Sequence, residues 1–370
     1  MLADPRPFFS DLDDPRRNTK NKLHSLHDIL MIVLCSVLSG VEDWVGMEIF
    51  AESREDWFRQ FLTLANGIPS HDTLSDVMGR LDHKAFAEAF MDWVHHSVPS
   101  LEGHQVCVDG KTLRGSREQG QSTVHMVSAF AAQARVVLGH QAVAEKTNEI
   151  KAIPDLLALL DLQGAVVSID AMGCQKEIAK AIVDQGADYV LALKDNHPTL
   201  SDDVQLWLNQ EYEAGRLTVE ETVEKDHGRI EERRYALSAD VDWLGQKTEW
   251  TGLRSVGMVD SVRHINGQIS HERRFYLCSF TKLDRFAQSV RQHWLIENAQ
   301  HWVLDVQFHE DSNRARKDHS AKNLATVRRM ALNIIRMNDP NSKRSVRQRR
   351  NMCAFNDSYR QKIIMGTPKS

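Results

Sequence analysis

The spacing of apolar positions changes near residue 104 and again near residue 196, giving three kinds of segment in a chain of 370 residues. Up to residue 100 the pattern is helical. Leu26 to Leu38 is apolar almost all round, which predicts a buried helix ended by Gly40. Shorter helices are expected over 43–51 and 54–64. Another is expected over 71–81, where Leu74, Val77, Met78 and Leu81 share one face and Ser70 supplies an N-cap after the turn Gly67-Ile68-Pro69. A helix, a tight turn and a short polar-faced helix fit a helix-turn-helix, and a plain helical bundle fits equally well.

From residue 104 the period shortens. Strands are predicted over 105–109, 123–131 and 136–144, forming a meander. A helix over 148–162 follows, with Pro154 marking a kink or its true start. Then come a strand over 166–170, a helix over 176–185 and a strand over 189–193. The order β-β-β-α-β-α-β is that of an α/β sheet. Residues 196–281 read as a β-rich insertion, with strands at 217–223, 231–237, 252–265 and 268–280, the last two joined by Asn266-Gly267. Helices resume over 284–308 and 320–337. The expected plan is an all-α, DNA-binding N-terminal domain (1–100), an α/β core (101–195 and 282–337) split by the insertion (196–281), and a basic tail (338–370) ordered only in part. Each domain is expected to have its own core.

Composition is that of a globular protein, 42% hydrophobic and 26% charged. Five dispersed cysteines without a C-x-x-C argue for a reducing compartment and against a disulfide frame or zinc ribbon. The most apolar run, 29–38, is half of the about 20 residues a membrane span needs, and it lies behind too many charges for a signal peptide. A soluble cytoplasmic protein with no membrane partner is expected. The net charge of −5 conceals an asymmetry: residues 312–350 hold twelve Lys/Arg and two acids, a local +10, which leaves −15 elsewhere. One part of the molecule is thus suited to a polyanion.

Three carboxylates carry the candidate chemistry. In Val106-Cys107-Val108-Asp109-Gly110 and Ile169-Asp170-Ala171-Met172-Gly173, an apolar strand ends in an acid followed by small residues. Active sites of open α/β sheets lie at such carboxyl ends. A lone strand-end aspartate is more often a turn or helix cap, but two of them with Glu297 on a later helix reverse that preference. His293, Glu297, His301 and Asp305 recur every fourth position as one stripe. A zinc site on this stripe is weakly supported, because H-E-x-x-H spacing is missing. Oxygen ligands favour magnesium or manganese. Two such ions can catalyse in-line attack at phosphate. The strand order suggests a ribonuclease-H-like core.

The chain resembles the DDE transposases of the H-repeat-associated group, the ISAs-one type insertion sequences, over nearly its whole length. LHDILMIVLCSVLSGVEDW and NGIPSHDTLSDVMGRLD resemble the group's N-terminal associated domain. VDGKTLRGS, KTNEIKAIPDLL, SIDAMGCQKEIA, GADYVLALKDNHP, DHGRIEERRY and HWLIEN with HWVLDVQFHED resemble its catalytic region. The resemblance implies catalytic and metal-binding roles for Asp109, Asp170 and Glu297 with two Mg²⁺ or Mn²⁺ ions, double-stranded DNA (element ends and target) as partner, and a homo-oligomer on DNA in the bacterial cytoplasm, nucleoid-associated when bound. It also implies that 196–281 is the insertion that related transposases carry before the glutamate.

Basic companions depart from the related pattern. His293 stands where an Arg is common and Leu304 where a Lys is common, so Arg291 or Arg314 is a substitute. Lys111, Arg114 and Lys194 are expected at phosphates, with Arg314 and Arg316 in the basic stretch. Arg16, Arg17, Lys20 and Lys22 are further candidates. Glu310 and Asp311 rival Glu297 as third ligand. Two alternatives stay open: a nuclease of the same fold that cuts without joining, and a DNA-binding relic.

Overall fold

The computed structural model describes residues 1–19, 22–117, 123–143, 149–226, 229–265 and 267–365. Lys20, residue 144, Asn148, Asn266 of the expected turn and 366–370 of the expected tail lie outside these. The first helices are α1 (Leu26–Leu38), α2 (Trp44–Glu52), α3 (Glu55–Phe58), α4 (His71–Arg80) and α5 (His83–Ser97). Ser25, Asp43, Ser70 and Asp82 cap four of them by accepting backbone N–H bonds.

Three strands follow, β1 (Gln105–Thr112), β2 (His125–Ala131) and β3 (Val136–Val143), and form the expected antiparallel meander. Helix α6 (Glu149–Ala158) keeps Pro154 inside it. Strand β4 (Val166–Ile169), helix α7 (Lys176–Asp184) and strand β5 (Asp188–Leu193) complete the parallel centre β1-β4-β5.

Helix α8 (Pro198–Glu213) opens the next segment, followed by β6 (Val219–Asp226), β7 (Arg229–Ser238), β8 (Ser255–Ile265) and β9 (Gln268–Cys278). The all-strand reading of 196–281 therefore misses a sixteen-residue helix, which buries Leu200, Val204 and Leu208 at i, i+4 and i+8. The strands do not stand apart either. β9 pairs antiparallel with β5, and one nine-stranded sheet results, in the order β3-β2-β1-β4-β5-β9-β8-β7-β6.

The chain then forms α9 (Leu283–His293), a π-helical turn (Ile296–His301), α10 (Trp302–Gln307), α11 (Ser320–Met337), α12 (Val346–Phe355) and α13 (Asp357–Met365). Two expectations change here. The N-terminal helices do not keep a core of their own. A second apolar cluster lies between α9 and the strands around Val190, Tyr235 and Tyr276, but the largest runs from Leu2 to Ile364, because α1, α4 and α5 pack on the nearly all-buried α11. Asn323 clamps this junction by donating to the Met78 and Leu81 carbonyls at 2.8 and 3.0 Å.

Of the tail expected to be ordered only in part, residues 346–365 form α12 and α13. There three of the arginines are structural. Arg349 donates to Ile335 O at 2.6 Å, Arg350 donates to Val37 O at 2.9 Å, and Arg360 lies 3.9 Å from the Trp57 ring centre. Arg328, Arg329, Arg349 and Arg350 are buried, so a third of the twelve cations in 312–350 do not face a polyanion. Among the described residues, no helix is long and apolar enough to cross a membrane.

Candidate active site

The parallel ladder between β1 and β4 ends at the pair Val108 and Ile169. The next residues, Asp109 and Asp170, therefore stand on neighbouring chains where this ladder ends. β4 stops there, whereas β1 continues to Thr112 along β2, so Asp109 ends a ladder rather than a strand. Gly110 lets the Glu149 carboxylate come close to the backbone: a Cβ there would lie 2.6 Å from Glu149 Oε2 and push that side chain aside. Asp170 also fills the ordinary role of a cap, accepting the Gly173 N–H at 3.3 Å.

The helix carrying Glu297 crosses these strand ends. Its stripe of every fourth residue is spent on four contacts. His293 shares a hydrogen bond with Ser168 Oγ at 3.0 Å, and Glu297 lines the pocket with Asp109 and Asp170. His301 Nδ1 lies 3.4 Å from Asp109 Oδ2, and Asp305 pairs with Lys111. Glu297 sits in the π-helical turn, a local distortion frequent at functional sites. The pocket encloses about 210 Å³ and also presents Lys194, Arg274, Tyr276 and Trp294.

Electrostatics mark this as a strained anionic site. Burial and then the Asp170 carboxylate push the Asp109 carboxyl up to about 7; a hydrogen bond from the Gly110 N–H opposes them, and Glu297 and Glu149 add smaller repulsions. The two histidines give no charge relief. Burial pushes His293 down to about 4 and His301 down to about 3, so both are neutral. A divalent cation fits this donor set, because it relieves the repulsion that raises Asp109 and meets hard oxygen ligands. Among the described residues, no three His, Cys, Asp or Glu side chains converge on one ion.

The other expected residues fare differently. Lys194 lines the pocket and is exposed. Arg114 is exposed, near Asp311 at 3.6 Å, and Arg314 is exposed. Arg316 donates to the Gly115 carbonyl at 3.0 Å. Arg291 is outside the pocket and pairs with Glu224 of β6. Lys111 is not placed to grip phosphate: it is buried among Asp305, Glu310 (3.2 Å) and Asp311 (3.2 Å). Glu310 and Asp311 are thereby spent, Glu310 also bonding Arg329 at 2.8 Å, and neither lines the pocket. Leu304 is in the core.

The helix-turn-helix is not evident. Its first helix is four residues long, and the tip of α4 presents the exposed Asp72 with Glu48 bonded to His71. Arg16 and Lys22 are tied to Asp14.

Arg274 was not legible as a pocket residue. It comes from β9, ion-paired to Glu272 at 2.8 Å and 4.8 Å from the Trp294 ring centre. The one signal in the sequence was the period of two that puts Arg274 and Tyr276 on one face.

The family model described as Transposase DDE domain matches residues 102–334, and the one described as DDE_Tnp_1-associated matches 7–94. An Xanthobacter autotrophicus protein described as "Uncharacterized protein in dhlA 3'region" is 48% identical over 76% of this chain and 96% of its own length. The putative transposase YncI of Escherichia coli O157:H7 is 36% identical over 96% of this chain and 93% of its own. The H repeat-associated putative transposase YhhI of Escherichia coli K12 is 34% identical over 95% of each. A solved piggyBac transposase synaptic complex with hairpin DNA aligns at a TM-score of 0.46 and 9% identity, covering 100% of this chain and 83% of that one, too distant to carry an argument.

Proposed function

The chain belongs to the family of the transposase DDE domain, and from that premise we propose that it cuts DNA at the ends of an insertion sequence and transfers the freed 3′-hydroxyl to target DNA. The observation that carries the reading is the single pocket lined by Asp109, Asp170 and Glu297, where one acid is pushed up to about 7 chiefly by burial and by the charge of the second. The order β3-β2-β1-β4-β5, with only β1, β4 and β5 parallel, supports a ribonuclease-H-like core.

Asp109 and Asp170 would hold one Mg²⁺ or Mn²⁺ ion, and Asp109 and Glu297 a second. Such ions, when bound, lower the pKa of a water and stabilise the leaving oxygen of an in-line displacement. The protein's own groups do the rest. Asp109, shared by both pairs, sits where β1 and β4 part, and its direction is fixed by the ladder behind it. Neutral His301 lies beside it without competing as a cation. Lys194 and Arg274, at the same pocket, supply positive charge for the phosphates on either side of the scissile bond. No covalent protein intermediate is required. Intact acids lining one pocket favour an active enzyme over a relic. Action as a homo-oligomer on double-stranded DNA in the cytoplasm belongs to the same proposal.

The test is cleavage of DNA carrying the gene's own flanking sequences, in Mg²⁺ and in chelator. Pre-cut ends offered with a target plasmid then separate a transposase from a nuclease that cannot join.

A further inference from the structure

Strand β1 turns Gln105, Cys107 and Asp109 to one face of the sheet, and α9 packs on this strand. Buried Gln105 donates from Nε2 to the Ser289 carbonyl of α9 at 2.7 Å and to Ser168 Oγ of β4 at 2.8 Å. Ser168 Oγ lies 3.0 Å from His293 Nδ1 at the end of α9. His293 in turn lines the carboxylate pocket with Asp109, Asp170 and Glu297. A chain of three polar side chains thus runs from inside the fold to the pocket.

The hydrogens along this chain can be placed one by one. Ser289 offers a carbonyl oxygen, so the Gln105 amide turns its NH₂ group towards it, not its own oxygen. That group has two hydrogens. The second goes to Ser168 Oγ, which therefore accepts. The one hydrogen of the hydroxyl is left for His293 Nδ1. Burial keeps the imidazole uncharged, and a neutral ring carries a single proton, which then sits on Nε2. His293 is only partly buried, and among the described residues its Nε2 has no hydrogen-bond partner.

We propose that His293 is a catalytic residue whose Nε2–H donates to a non-bridging oxygen of the scissile phosphate, with Ser168 and Gln105 as positioning residues that keep the hydrogen on that nitrogen. The inference rests on the transposase reading of the carboxylate pocket. It also removes His293 from the possible metal ligands: Nε2 with its hydrogen has no lone pair to give, and the lone pair of Nδ1 is taken by Ser168. A donor held in place before the reaction meets the charge that develops on phosphate without reorganising.

The test joins kinetics to the tautomer, in the full chain at pH 8. With flanking-sequence DNA in Mg²⁺, His293→Ala should lower kcat at least about 100-fold, with KM for DNA and the dependence on Mg²⁺ as in wild type. His293→Gln, whose amide N–H reaches the place of Nε2, should recover part of that loss. Ser168→Ala should fall between His293→Ala and wild type. In nitrogen-15 spectra of histidine-labelled, metal-free protein, the resonances that His293→Gln removes should show hydrogen on Nε2 and none on Nδ1. In Ser168→Ala the same ring should populate both tautomers.

Hydrogen on Nδ1 in wild type would overturn the proposal. So would a His293→Ala defect that raised Mg²⁺ repairs, as it would repair the loss of a metal ligand. Should His293→Ala misfold, the tautomer and the Ser168→Ala kinetics decide. Wild type that cuts no DNA would remove the transposase reading, and the role of His293 with it. Cutting by wild type and His293→Ala at the same rate would remove only the role of His293.

Discussion

The Lys111 ammonium holds the Asp305 carboxylate across the gap between β1 and the helix that carries Glu297. Lys111 is two residues beyond Asp109, and Asp305 is eight beyond Glu297, so the pair fixes how far apart two of the three acids stand. Lys111→Met leaves Asp305, Glu310 and Asp311 without their common cation. It should cost about 3–5 kcal/mol in urea unfolding. A residue that merely gripped phosphate would show the reverse pattern, normal stability with weaker DNA binding.

Acid should act on the same network. Burial alone would raise the Glu310 carboxyl, but Arg329, Lys111 and Arg328 overcome it and hold it at about 2, against an ordinary 4.5. A lowered carboxyl stabilises the fold fully above 4.5 and loses that contribution as pH falls towards 2. The expected loss is about 3 kcal/mol over this window. Chemical unfolding between pH 5 and pH 2 should show it, and Glu310→Gln should flatten the slope.

Asp109 has the opposite sign. Its carboxyl is raised from 3.8 to about 7, so the metal-free fold is penalised as pH rises through that interval, and the penalty is complete above about 7. In chelator at pH 8, Asp109→Asn should therefore be more stable than wild type, by up to about 4 kcal/mol. The gain should fade as pH falls towards 4. A melting temperature unchanged or lowered at pH 8 would count against the crowding of acids.

Gly115 lies in the loop after β1, against the loop after α10. A Cβ there would stand 2.1 Å from Asn313 O and 2.8 Å from Asp311 O, both backbone atoms that cannot rotate away. Gly115→Ala should cost about 1–3 kcal/mol and lower cleavage more than DNA binding, because it parts the loops flanking two of the acids.

Much of this site was legible in the sequence. Asp109 and Asp170 each follow an apolar run whose register is set by burial, though β1 runs three residues past Asp109, and the stripe His293, Glu297, His301, Asp305 announces one helical face. The structure spends all four members of that stripe at the strand ends. What was not legible depends on distant partners. Lys111 reads as a surface cation until residues 305 to 311 come back beside it. Arg274 enters the pocket only because β9 returns to pair with β5. Helix α8 is signalled only by Pro198 at its start and the spacing of Leu200, Val204 and Leu208, among strongly polar neighbours. Helices α12 and α13 bury arginines, which a hydrophobic pattern does not count.

Lys194 offers the simplest probe of the pocket's positive side, since it is exposed and lines the pocket. Lys194→Ala should leave the melting temperature unchanged and slow cleavage at least about tenfold, through the missing charge-assisted hydrogen bond to phosphate.

The most direct test of the central claim is a cleavage assay on flanking-sequence DNA with wild type, Asp109→Asn, Asp170→Asn and Glu297→Gln, in Mg²⁺ and in chelator. The expected result is cutting by wild type in Mg²⁺ alone, and no detectable cutting by any variant while each still binds the DNA. Cutting by all three variants at the wild-type rate, or by wild type in chelator, would contradict it.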